Sequence, residues 1–279
     1  MDYQVRALSR RAGHQLMPRI AWFMLPFAAA SVCLSSTGCS SGGGNSSNSL
    51  VKSINAYVPP DGEPVSGGAI TLYAGASFLT GNITEFGQVS NNGGYISLAS
   101  GTYNLVMSGP TLQPSVQLAG VALTGNNTEY TVIGAGEAGQ TGALAPQIIV
   151  APNFTRNQLV LTTGTAAIRV INVSLDPNNL GLYSTNNGGA PTTALAPATA
   201  SLPFGYSSSN NVYDAVPTST IAQLAIVDVT ATGAKLGLSG GSNLNTKVFV
   251  PGDAYSLIIY GQPGNGTYPL GCTWIQDYP

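Results

Sequence analysis

The sequence predicts an all-β protein: two tandem β-sandwich domains that follow a signal peptide and a flexible linker. Three observations carry this expectation. From residue 50 onward, short runs rich in Val, Ile, Leu, Tyr and Thr alternate with clusters of Gly, Asn, Pro and Ser, the pattern of strands and turns. No stretch long enough for a helix holds the apolar spacing of one. The strand-like runs also recur in the same order. Lys52-Ser53-Ile54-Asn55-Ala56 resembles Arg169-Val170-Ile171-Asn172-Val173, Ile70–Tyr73 resembles Leu180–Tyr183, and Thr128–Gly134 resembles Asp253–Gly261. The offset is roughly 115 residues, the size of one sandwich.

The first element is the leader, residues 1–38. Arg6, Arg10, Arg11 and Arg19 face one acid, Asp2, and precede the uncharged apolar run Ile20–Leu34. A basic segment, an apolar segment and a small-residue end make a secretory signal peptide. The run is shorter than the ~20 apolar residues that span a bilayer, and Pro26 interrupts it.

The leader ends in Thr37-Gly38-Cys39, which resembles the lipobox of bacterial lipoproteins, with Ser36 where Leu is usual. The resemblance implies cleavage between Gly38 and Cys39 and a lipidated Cys39 carrying diacylglycerol and an acyl chain such as palmitate. The expected address is the bacterial cell envelope, as an outer-membrane lipoprotein; the alternative is a periplasmic or secreted protein. Residues 39–49 (Cys39, then SSGGGNSSNS) have no charge and read as a flexible tether.

Residues 50–163 form the first expected sandwich, with strands at 50–58, 69–74, 94–98, 102–108, 115–123, 128–134, 145–151 and 158–162. Residues 164–279 form the second, with strands at 166–174, 180–184, 211–216, 221–230, 234–238, 246–250, 254–260 and 268–275. Turn signals separate them, among them Asn91-Asn92-Gly93, Gly125-Asn126-Asn127 and Pro251-Gly252-Asp253. The Gly-rich run Gly134–Gly139 is expected to be a loop, because no helix follows it as a dinucleotide-binding turn requires.

Each half resembles the bacterial domain-of-unknown-function family DUF4397. In the second half the resemblance rests on Ile168–Pro177 with Leu182-Tyr183. In the first it rests on Leu98-Ala99-Ser100-Gly101-Thr102-Tyr103 and Glu129-Tyr130-Thr131-Val132. It implies two copies of an exported Ig-like or transthyretin-like sandwich and no known activity.

Composition narrows function. Charged residues make up 7% of the chain. The mature part keeps Lys52, Arg156, Arg169, Lys235 and Lys247 against ten acids, a formal charge of −5. Such a surface excludes nucleic acid as a partner. The one histidine, His14, lies in the leader, so no Ser-His-Asp triad, Cys-His pair or His-bearing metal site is expected. With Cys33 in the leader and Cys39 lipidated, Cys272 stands alone.

No catalytic, cofactor or metal residue is expected, and the chain reads as a non-enzymatic structural or binding module. Asp61, Glu63 and Asp176 sit in turn sequences that match no calcium loop. The expected partners are the membrane, through the lipid on Cys39, and an envelope protein or a glycan, met by the loops near 184–201 and 205–211. Two alternatives remain. One is a carbohydrate-binding surface using Tyr206, Tyr213, Trp274 and Tyr278. The other is a hydrolase with a carboxylate pair.

Overall fold

The computed structural model describes residues 48–60, 62–79, 85–125, 128–153, 161–176, 178–185, 191–218, 223–230, 234–238, 244–245 and 247–278. Gly38, Cys39 and the leader lie outside the described residues. Among those described, the protein is all-β, with a few short 3-10 turns. Sixteen strands occur: β1 (Asn48–Val58), β2 (Thr71–Ala74), β3 (Ser77–Phe78), β4 (Ile96–Ala99), β5 (Gly101–Gly109), β6 (Leu112–Leu123), β7 (Glu129–Glu137), β8 (Gln147–Pro152), β9 (Thr165–Ser174), β10 (Leu180–Thr185), β11 (Pro191–Ala194), β12 (Asp214–Pro217), β13 (Leu224–Asp228), β14 (Ala234–Lys235), β15 (Ala254–Gly261) and β16 (Gly271–Tyr278).

They form four sheets of four strands. The first block of sequence makes an inner sheet, β4-β1-β7-β8, and an outer sheet, β3-β2-β5-β6. The second block repeats both orders, as β12-β9-β15-β16 and β11-β10-β13-β14. Each inner sheet is centred on a parallel pair, β1 with β7 and β9 with β15.

Alternate side chains of a strand face opposite ways, and here both ways lead into a core. Val51 and Tyr57 of β1 pack with Ile70, Leu72, Leu105 and Met107 of the first outer sheet. Ile54 and Ala56 of the same strand pack with Ile171, Val173 and Ile258 of the second inner sheet. Ile168, Val170 and Leu257 in turn meet Leu182 and Ile226 of the second outer sheet. The order of layers is therefore outer, inner, inner, outer. Parallel sheets need cover on both faces, and each inner sheet receives it from its own outer sheet and from its counterpart. Asn45–Pro279 accordingly forms one compact unit.

The repeat extends to single residues. Gly136 and Gly261 end the parallel strands with φ of +95° and +83°. A side chain at either would run into a backbone carbonyl, Ala145 or Pro269. Asn55 and Asn172 do the same work one layer in. The amide of Asn55 donates to Gly68 O (2.7 Å) and accepts from Tyr57 N (2.9 Å); that of Asn172 donates to Leu202 O (3.0 Å) and accepts from Ser174 N (3.0 Å).

Several expectations need correction. The Gly134–Gly139 loop is a strand as far as Glu137, with glycine at 134 because Ile70 and Met107 press against the backbone there. The first strand starts at Asn48, inside the expected tether. Ser77–Phe78 and Pro191–Ala194 are strands without a sequence signal, and 191–194 lies inside an expected loop. Lys247–Val250 is in no sheet: Phe249 is drawn into the second core, edge-on to Tyr255 and Trp274, while Val248 and Val250 face solvent. Of the expected strand 158–162, residues 158–160 lie outside the described residues and Leu161-Thr162 is not strand.

Candidate functional site

The seam between the two inner sheets is apolar at one end and polar at the other. The polar end contains the greatest concentration of chemically capable side chains. Its composition follows from the repeat. Lys52 and Arg169 occupy equivalent positions on β1 and β9, Thr131 and Ser256 on β7 and β15, and Asn153 and Asp277 at the ends of β8 and β16. Tyr95 and Tyr213 lie just before β4 and β12.

Each cation crosses the seam. Lys52 Nζ donates to Gln276 O on the second inner sheet (2.7 Å), and Arg169 Nη1 donates to Pro152 O on the first (2.8 Å). Each also lies over a tyrosine ring of its own repeat, at 4.0 Å for Lys52 on Tyr95 and 4.7 Å for Arg169 on Tyr213. Arg169 further donates to Ser256 Oγ (2.6 Å) and to Asn153 Oδ1. Asp277 Oδ2 accepts from Tyr213 (2.6 Å) and from Ser256. Tyr95 donates to Asp277 O (2.6 Å), and its hydroxyl oxygen is also hydrogen-bonded to the Glu129 carboxyl.

These groups are deep. Arg169, Ser256 and Asp277 are fully buried, and Glu129 and Lys52 are 7% exposed. Burial favours neutral forms. It pushes the Glu129 carboxyl up to about 7, helped by the Asp277 charge and opposed by the Tyr95 hydrogen bond and Lys52. It raises Asp277 against the pull of Arg169 and lowers Lys52 against the pull of Asp277 and Glu129. The phenols of Tyr95 and Tyr213 rise through burial and the neighbouring Asp277 charge. The cluster can clasp two sheets and hold a proton. Among its described members, Tyr95 is half-buried and the charged groups are buried.

A second feature is a cleft of about 360 Å³ beside β8, the edge of the first inner sheet. Gln147, Ile148 and Val150 form one wall and Phe204, Gly205 and Tyr206 the other. None of its lining residues is charged.

The residues singled out from sequence scatter. Cys39, Gly38 and Asp61 lie outside the described residues. Glu63 is exposed, and Asp176 caps its own turn by accepting from Asn178 N (2.9 Å). Of the aromatics proposed for sugar binding, Tyr206 lines the cleft, whereas Tyr213 is in the seam and Trp274 is in the second core, bonded to Leu244 O (3.3 Å). The Tyr278 side chain lies outside the description. Cys272 is a buried thiol in that same core. The loop 205–211 is pinned to the fold: Asn211 donates to Val170 O (2.6 Å) and accepts from Ser207 N (2.7 Å). Among the described residues, no group of three or more His, Cys, Asp or Glu side chains could hold a metal ion, and no helix is long and apolar enough to cross a membrane. The seam cluster itself went unread. Its signal was present in Lys52 and Arg169, two cations at matching positions inside otherwise uncharged apolar runs.

The family described as a domain of unknown function (DUF4397) matches residues 64–183, a span from just before β2 to within β10. No curated protein matches the chain. Among solved structures, the chain is similar at 10% identity to a candidate cell adhesion protein from Bacteroides uniformis, over 82% of this chain and 98% of that one, with a TM-score of 0.22. It is similar at 10% identity to the tip fimbrial protein Mfa3 from Porphyromonas gingivalis, over 82% and 99%, with a TM-score of 0.20.

Proposed function

We propose that the chain is a cell-envelope lipoprotein, held by acyl chains on Cys39, whose two DUF4397-like repeats act as one rigid structural or partner-binding body without catalytic activity. One observation carries the non-catalytic part. The groups able to do acid–base chemistry are buried: Lys52 and Arg169 are bonded across the seam, and the carboxyls of Glu129 and Asp277 are bonded to tyrosines of their own repeats. The Cys39 lipobox and the uncharged segment after it support the anchor. Intact mass of the protein taken from the host membrane fraction tests the reading. A chain starting at Cys39 with diacylglycerol and an acyl group is the expected result, and an unmodified chain starting elsewhere overturns it.

The cleft beside β8 favours a second reading, capture of a neutral glycan. It joins an aromatic ring, Tyr206, and an amide, Gln147, in an uncharged setting. A glycan array separates the two readings: binding that is lost in Tyr206→Ala supports the second, and an empty array removes it.

A further inference from the structure

The polar end of the seam is also where the chain enters the fold. β1 begins there at Asn48, four residues before Lys52, whose ammonium reaches the end of β16. Thr165, at the start of β9, is the counterpart of Asn48, and its carbonyl accepts from Gly252 N (2.8 Å). That bond places the segment before β15 at this same end. The segment presents Val248, 80% exposed, and Val250, 49% exposed, side by side with a cation, Lys247, over the Tyr255 ring at 4.7 Å. Between the exposed valines, Phe249 packs into the second core.

The opposite end differs in charge. Glu137 closes β7 there. Glu85 lies next to Phe86, whose ring packs edge-on against Tyr260 and Tyr268, and Glu63 O accepts from the Tyr268 hydroxyl. Glu63 and Glu85 are exposed.

We infer that the end bearing Lys247, Val248 and Val250 seats on the bilayer, with the valines in the headgroup region and Lys247 against lipid phosphate. The inference rests on the lipid anchor proposed above. Eight residues separate Cys39 from Asn48, so even a fully extended link holds this end within about 30 Å of the membrane. Exposed apolar side chains beside a cation suit an anionic lipid interface, and an anchored protein needs only weak further contacts to fix its orientation. An anionic bilayer would repel the exposed Glu63 and Glu85 and attract Lys247; the acids at the Lys247 end are the half-buried Asp214 and the buried Glu129, Asp253 and Asp277, and the far end also carries the exposed Lys235.

The test uses the full chain purified from membranes and reconstituted in vesicles of phosphatidylethanolamine and phosphatidylglycerol. Val248→Cys and Glu63→Cys each receive an environment-sensitive fluorophore; Cys272 is buried and does not compete. The expected result is a label at 248 that lipid-borne bromine quenches and that iodide reaches about threefold less well than the label at 63. Adding Val250→Asp and Lys247→Glu should abolish that difference. Equal access of iodide at both positions, on a protein whose mass carries the Cys39 lipid, overturns the seating and leaves the anchor intact. A mass without lipid overturns the anchor, and the seating with it.

Discussion

The two repeats share one plan and balance their charge differently. In the first, the cation at the seam is Lys52, with one hydrogen bond, and the residue that ends its edge strand is the neutral Asn153. In the second, the cation is Arg169, with hydrogen bonds to Ser256, Pro152 and Asn153, and the matching residue is the carboxylate Asp277. The lesson is that a repeated fold places equivalent side chains in equivalent spots, while the chemistry of each spot is free to drift, even at the cost of a buried atom without a hydrogen bond on each of Asn153 and Asp277. A lysine offers a compact charge at one point; a guanidinium offers a planar fork that joins three partners. The second repeat supplies the fork, and so it carries more of the clasp.

That asymmetry is open to test by paired substitutions. Arg169→Met should cost the most, about 3–5 kcal/mol in denaturant unfolding, because it strands the buried Asp277. Lys52→Met should cost much less, about 1–2 kcal/mol, since it removes one hydrogen bond and one ring contact. Equal losses would mean that the two cations are interchangeable and would end the argument. Asn55→Ala and Asn172→Ala sharpen the opposite point. Each donates to a buried carbonyl and accepts from the backbone N–H two residues on, with Asn172 also accepting from Ser174 Oγ (2.6 Å), so each should cost a similar ~1–3 kcal/mol by leaving buried backbone groups unpaired.

The smallest effect is a pH dependence that belongs to the first repeat. The folded pKa of Glu129 is raised to about 7 by burial, above its ordinary value of 4.5. The folded state therefore holds a proton that the unfolded chain has released. The contribution to stability is full below about pH 4.5, falls as pH rises toward about 7, and is lost above it. Glu129→Gln should flatten the unfolding midpoint across that window, measured by thermal melts at several pH values. An unchanged slope would remove Glu129 as its source.

How much of this was legible beforehand depended on whether the signal was local. β5, β9 and β15 announced themselves by composition and flanking turns, and the repeat was visible in Ile54-Asn55 and Ile171-Asn172. The four-layer stack was not. An inner strand and an outer strand both read as apolar runs, and only the near-complete burial of β1 and β9 on both faces tells them apart. Val248-Phe249-Val250 alternates in a way that suits a strand, yet no strand among the described residues pairs with it. The roles of Lys52 and Arg169 were not legible because the groups they reach across the seam belong to the other repeat, more than a hundred residues away for Lys52 and Gln276. The need for glycine at 136 and 261 was not legible, because the carbonyls that exclude a side chain there, Ala145 and Pro269, belong to segments further along the chain.

The parallel pairing in each inner sheet also shapes how the chain must fold. β1 finds its partner β7 only after about eighty intervening residues, and β9 waits similarly for β15. During synthesis or passage through a membrane the first strand emerges early, apolar on both sides and with nothing to pair with. Contacts this distant in sequence form slowly, and unpaired strand edges recruit other chains while they wait. A chain built this way stays open to misassociation until its second parallel strand arrives, whatever the stability of the finished stack.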